Sequence, residues 1–201
     1  MPKPKKKKAA SSTVPLAILG AGVVALVVLM GVNIYRGEKA AANQMDRADS
    51  ANCSPSPVRM SPPGVERIPC KTQNHVAEGQ TVAYESDPPT SGAHYATWTN
   101  PGFYKEIPSK EKLVHSLEHG YVVIYYDQSK VTAEQLTAIE KVAQKYRGAW
   151  DGVVAVPRSD ATYPVILTAW EHSLKLDSFD QARIDSFVDT FRGRGPENPV
   201  R

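Results

Sequence analysis

LVHSLEHGYVVIYY, residues 113–126, sets a pair of histidines directly before the chain's strongest strand signal. His115 and His119 stand four apart with Glu118 between them, and Gly120 separates them from the β-branched and aromatic run Tyr121–Tyr126. Ser109 can cap a short helix over Lys110–His119, and Gly120 is its natural stop. Tyr121–Tyr126 reads as a buried strand. The segment is therefore a helix handing over to a sheet. Its polar end is a metal site, a peptidase core, or only the hydrogen-bonded terminus of a helix.

Working outward toward the C-terminus, Thr132-Ala133-Glu134-Gln135 has the form of a capping box, and Leu136, Ile139, Ala143 and Tyr146 follow at helical spacing. That helix should end near Arg147-Gly148. Val153–Val156 and Pro164–Trp170 read as two further strands. Ser178-Phe179-Asp180-Gln181 has the form of a second capping box, followed by the stripe Ile184, Phe187, Val188 and Phe191 and by Gly193 as a stop. This order predicts an α+β fold, a small sheet with helices packed mainly on one face. Toward the N-terminus, residues 71–110 are irregular and carry the turn signals Asp87-Pro88-Pro89-Thr90-Ser91-Gly92 and Asn100-Pro101-Gly102. A loop region this long in a compact domain is often functional. The globular domain is expected over 71–201.

The start of the chain has a different character. Residues 1–13 form a basic tail with Lys3 and Lys5–Lys8, and no charge occurs from Ala9 to Tyr35. Val14–Tyr35 is mostly apolar and, as a helix, would reach about 33 Å, enough for a hydrocarbon core of about 30 Å. A transmembrane helix over 14–35 is expected, and the lysines on its N-terminal flank place that end in the cytoplasm and the domain outside it. The rival reading is a cleaved signal peptide ending near Ala40-Ala41-Ala42, although the apolar run is longer than a signal core. The lysines could also touch anionic lipid. Residues 36–70 read as a stalk with a proline-rich approach to the domain.

Net charge is +3, and removing the five lysines of the tail leaves −2. That is no nucleic-acid footprint, and no nucleotide or organic cofactor motif is present. The two cysteines, Cys53 and Cys70, both lie on the expected outer side, where an oxidising compartment favours a disulfide between them; free thiols, metal ligation or intermolecular pairing are the alternatives. The expected partners are the membrane and, in an assembly role, another envelope protein.

The five histidines are His75, His94, His115, His119 and His172. His115 and His119 share a helix face and can chelate one cation. His94, in the small-residue loop Thr90–Tyr95, could close the site, with His75 as a fourth ligand. Imidazole suits several transition metals; outside the cytoplasm copper and zinc are the candidates. Glu118 could fix the tautomer of a ligating histidine by accepting its second N–H, with His94 the partner to test.

The spacing His115-x-x-Glu118-His119 is also that of inverted zinc peptidases, in which Glu118 would be the catalytic general base. Such enzymes need a downstream acidic ligand, for which Glu140, Glu171 and Glu197 are available. Glu197 lies in a Gly/Pro-rich tail, and Gly120 ends the motif helix at once. Whether the domain is an enzyme is left open by these residues. The third reading is a buried His/Glu hydrogen-bond network in an assembly or binding module that locks residues 71–110 onto the sheet.

The segments DPPTSGAHYATW, GFY, VHSLEHGYVVIYY, VILTAWEHSLKLDSFD and GPENP together resemble the DUF3105 family over about residues 71–199. This is a bacterial family of unknown function, often anchored by one N-terminal membrane helix. The resemblance falls on His75, His94, His115, Glu118, His119 and Gly120, then on Thr168-Ala169-Trp170, Phe179-Asp180 and Gly195-Pro196-Glu197. It implies that the histidine-bearing segments belong to one domain, and supplies no reaction, ligand or substrate. His172 matches no motif residue and is left outside the site.

Overall fold

The computed structural model describes residues 53–201 together with Val32 and Arg36. The chain divides into two compact units, residues 1–45 and 46–201. Val32 and Arg36, both helical, are the described residues of the first. The expected membrane helix over 14–35 lies outside the described residues, Val32 excepted. Among the described residues no helix is long and apolar enough to cross a membrane.

The fold of the second unit is mixed α and β; its described residues form one six-stranded sheet, a two-stranded one and three helices. The strands are β1 (Glu66–Arg67), β2 (His75–Val76), β3 (His94–Tyr95), β4 (Gly102–Phe103), β5 (Val122–Tyr126), β6 (Val153–Pro157), β7 (Val165–Ala169) and β8 (His172–Leu176). The helices are α1 (Lys110–Glu118), between β4 and β5, α2 (Ala133–Lys145), between β5 and β6, and α3 (Gln181–Phe191), after β8. The large sheet has the order β1-β8-β7-β5-β6-β4. β5 runs parallel to β6 and antiparallel to β7, while β2 and β3 form a separate parallel pair.

Strand β5 lies inside the sheet with both faces covered, which is why Val122–Tyr126 is apolar without alternation. Val122, Ile124 and Tyr126 face α2 and α3 in a core with Ile139, Leu167, Ile184 and Phe187. Val123 and Tyr125 face the other way, into a core with Leu113, Val114 and Leu117 of α1 and with Trp170. Helices α2 and α3 therefore share one face of the sheet, and α1 packs on the opposite one. Leu113 and Leu117 are fully buried, a contribution of about 1.5–3 kcal/mol each, and they seat α1 with its His-bearing face turned away from the sheet's centre.

The capping box at Thr132 forms as expected: its hydroxyl accepts the Gln135 N–H, and the Gln135 side chain accepts the Thr132 N–H. The expected box at Ser178 does not form. The N-cap of α3 is Asp180, whose carboxylate accepts the Arg183 N–H at 3.0 Å. A negative charge at that position also suits the helix dipole. Phe179 and Ile184 then occupy the two positions of a hydrophobic staple, both in the same core.

β8 is a strand the sequence reading missed. It pairs with β7 across a two-residue turn, Trp170-Glu171, in which Glu171 takes φ +64°. Trp-Glu is not a hairpin-turn sequence. The turn is held instead from outside. The Glu171 carboxylate accepts the N–H groups of Ser56 and Cys70 and pairs with Arg67. Trp170 donates its indole N–H to the Ser54 carbonyl. Cys53 and Cys70 are disulfide-bonded, with Cα atoms 5.9 Å apart. Residues 53–70 are thus part of this compact unit: β1 pairs with β8, and Cys70 is buried.

Candidate metal centre

The site is built where α1 meets the two-stranded sheet. On α1, His115, Glu118 and His119 lie at i, i+3 and i+4, so their side chains share one face. All three are buried. The parallel pairing of β2 and β3 sets His75 directly opposite His94. Neither strand exceeds two residues, and no sequence periodicity announces them. The loop after β3 is pinned to α1 by Ser116, whose hydroxyl accepts the Thr99 N–H and donates to the Thr99 carbonyl.

Four imidazoles therefore crowd together. Ring centroids lie 5.0 Å apart for His75 and His94, 4.9 Å for His94 and His115, and 4.5 Å for His115 and His119. Backbone carbonyls fix two of the rings. His94 Nδ1–H donates to the Gly92 carbonyl at 2.8 Å, and His115 Nδ1–H donates to the Tyr95 carbonyl at 2.6 Å. In the neutral ring each then carries its lone pair on Nε2. His94 Nε2 faces the Glu118 carboxylate at 2.9 Å, so the two residues singled out for testing do meet, but the second N–H, on Nδ1, goes to Gly92 and not to Glu118. His115 Nε2 lies 3.0 Å from His119 Nε2, which lies 3.0 Å from a Glu197 oxygen.

Two groups of these residues could hold a metal ion. His75, His94, His115 and Glu118 each offer a ligating atom, and these atoms lie within 4.8 Å of one another; the same holds for His115, His119 and Glu197. The structure thus distributes the four histidines of the sequence motif over two groups that share His115. Glu118 stands among the possible ligands as well as beside His94. Nearest-neighbour ligand atoms around tetrahedral zinc stand about 3.3 Å apart, given bonds of about 2.0–2.1 Å, so a bound ion would draw the more distant members inward.

Burial holds the His115 and His119 rings below the ordinary imidazole range. For His119, with His115 beside it, the value falls to about 4. Both are neutral at pH 7, the state in which imidazole ligates. Burial and the nearby Glu118 charge push the Glu197 carboxyl upward.

A cavity of about 620 Å³ opens over the second group, lined in part by Trp98, Trp150, Arg147, His75, His119 and Glu197. The two tryptophan rings flank His119 at 4.7 and 4.5 Å. Neither carried a site signal in the sequence. Glu197 reaches His119 because the tail folds back over Gly120, whose carbonyl accepts the Gly193 N–H. A Cβ on Gly195 would stand 2.2 Å from both the Glu118 carbonyl oxygen and the Gly120 nitrogen, so only glycine lets the tail lie this close.

His172 belongs to neither group. It is buried in β8 against Phe191, and its Nδ1–H donates to the Trp170 carbonyl. Of the acids available downstream, Glu171 is committed to the Arg67 and Ser56 contacts, and Glu197 is the one brought to the histidines.

No curated protein and no solved structure matches the chain. A family described as "Protein of unknown function (DUF3105)" matches residues 75–201, a span that begins at His75 and contains every residue of both groups, and the chain belongs to that family.

Proposed function

We propose that the domain binds one transition-metal ion, copper or zinc, through His75, His94, His115 and Glu118. The observation that carries this reading is the convergence of these four ligating atoms while carbonyls hold Nδ1–H of His94 and His115. Backbone-anchored imidazoles presenting their other nitrogen to one centre are the usual dress of a histidine metal site. A proton-only network accounts for the contact between His94 and Glu118. It assigns no role to His75, whose ring packs against those of His94 and His115 at 5.0 and 5.1 Å. On metal binding the ion takes the place of the proton between His94 Nε2 and Glu118.

The protein is then a single-pass membrane protein with a cytoplasmic N-terminus and an extracytoplasmic metal domain, open to an envelope protein partner. The lysine tail, the uncharged stretch after it and the disulfide support this placement. Titration calorimetry with Zn²⁺, and with Cu²⁺ in a separate run, tests the metal reading. One site is expected, and a His94→Ala, His115→Ala double variant should weaken binding at least ~100-fold. Unchanged binding in that variant would sink it.

A second reading draws on a different observation. His115, His119 and Glu197 form a two-histidine, one-glutamate set beside a cavity, the ligand set of several catalytic zinc sites. Glu118 is the general base this reading requires. Its carboxylate is buried and engaged by His94, so it is poorly free to activate water there, and metal binding without hydrolysis is the stronger conclusion.

A further inference from the structure

We propose that the ion occupies two mutually exclusive positions that share His115, an outer one on His115, His119 and Glu197 and an inner one on His75, His94, His115 and Glu118, and that it loads from the outer to the inner. The proposal rests on the metal reading and adds the route by which the site fills.

A single nitrogen makes the two positions exclusive. His115 is a member of both groups. Its Nδ1–H is held at 2.6 Å by the Tyr95 carbonyl, which leaves Nε2 as its one lone pair. One lone pair serves one ion, so the two groups cannot both be filled with full ligation. The cavity then gives the path a direction. His115, His119 and Glu197, the whole of the outer set, line it, while the inner set has His75 and His115 on its wall and His94 and Glu118 behind it. The Glu197 side chain is 46% exposed. An aqueous ion in the cavity can therefore take all three outer ligands at the wall, whereas the inner set is complete only once the ion reaches His94 and Glu118. His115, 3.0 Å from His119, is already in the next set. Transfer is a ligand exchange that pivots on His115 and requires no redox partner.

Trp98 lies 4.7 Å from the His119 ring and Trp170 lies 6.3 Å from the His94 ring, so quenching of tryptophan fluorescence by Cu²⁺ reports filling of either position. The test is rapid mixing of the full chain with Cu²⁺, paired with calorimetric stoichiometry. The wild type should saturate at one equivalent. Glu197→Gln alone, a change at an exposed side chain that leaves the core intact, should slow loading at least fivefold, and with His119→Ala at least tenfold, with final stoichiometry still one. His94→Ala should still take one equivalent, held more weakly at the outer position. Two equivalents in the wild type would overturn the proposal, as would wild-type loading rates in the Glu197→Gln variant, or no binding in His94→Ala. Absence of binding in the wild type would instead overturn the metal reading itself, before any variant is compared.

Discussion

At the scale of single residues, the chemistry turns on which nitrogen carries a proton. Tyr95 and Gly92 settle this for His115 and His94 with backbone carbonyls, groups no substitution removes. A glutamine at 118 keeps the shape of the side chain and loses the charge that balances a cation. Glu118→Gln should therefore weaken metal binding by about 10- to 100-fold with little change in stability, measured by calorimetry and urea denaturation on the same preparations.

His172 makes the opposite case, a histidine that belongs to the fold. Burial holds its ring below the ordinary value of 6.5. The unfolded chain takes up this proton near pH 6.5 and the folded chain only at lower pH. The stability it contributes is therefore full above about 6.5 and is lost as pH falls from there toward the folded value. Urea midpoints measured between about pH 5 and pH 7.5 should fall less steeply with acid in His172→Phe than in the wild type. Parallel profiles would contradict this account of His172.

At the scale of elements, α1 is the piece that makes a site possible. It is short and buried on nearly every side, so its polar face cannot turn to water and must find partners. The tail supplies one of them by lying against Gly120. Gly195→Ala forces a methyl group onto backbone atoms that cannot yield, at a cost of about 1–3 kcal/mol. The expected outcome is a tail cleaved by protease near residue 195 far faster than in the wild type, with β5 and its neighbours intact by circular dichroism.

Legibility in the sequence also divides by element. α2 is readable because Thr132 and Gln135 form a local box that needs nothing else. α3 is readable in its apolar stripe but not in its start, since Ser178 and Asp180 are both competent caps and packing of Phe179 favours the second. β8 is hidden because its turn is stabilised by Ser56, Cys70 and Arg67, more than 100 residues away. Within the site, the i, i+4 histidines are local and visible. The His75–His94 pairing and the arrival of Glu197 depend on loops folding back, and no spacing rule reports that.

At the scale of the whole molecule, the segment before the family-matched region is a brace. The disulfide, β1 and the Glu171 cluster tie residues 53–70 to the β7–β8 turn, whose Trp170 ring stands beside His94. The bridged cysteines are 17 apart in sequence, close to the ~15-residue loop for which chain entropy gives about 3 kcal/mol. A Cys53→Ser, Cys70→Ser variant should lose about that much in urea denaturation, and reductant should do the same to the wild type and nothing to the variant. Equal stability of the two proteins would show that the brace is dispensable.

On the proposed function, the histidines of this domain meet in order to hold an ion. The most direct measurement is elemental mass spectrometry of the full chain, purified without affinity histidines, beside the His94→Ala, His115→Ala variant. Close to one equivalent of copper or zinc is predicted in the wild type and almost none in the variant. A wild type that carries no metal after incubation with Cu²⁺ and Zn²⁺ would contradict it and leave the cluster as a hydrogen-bond network.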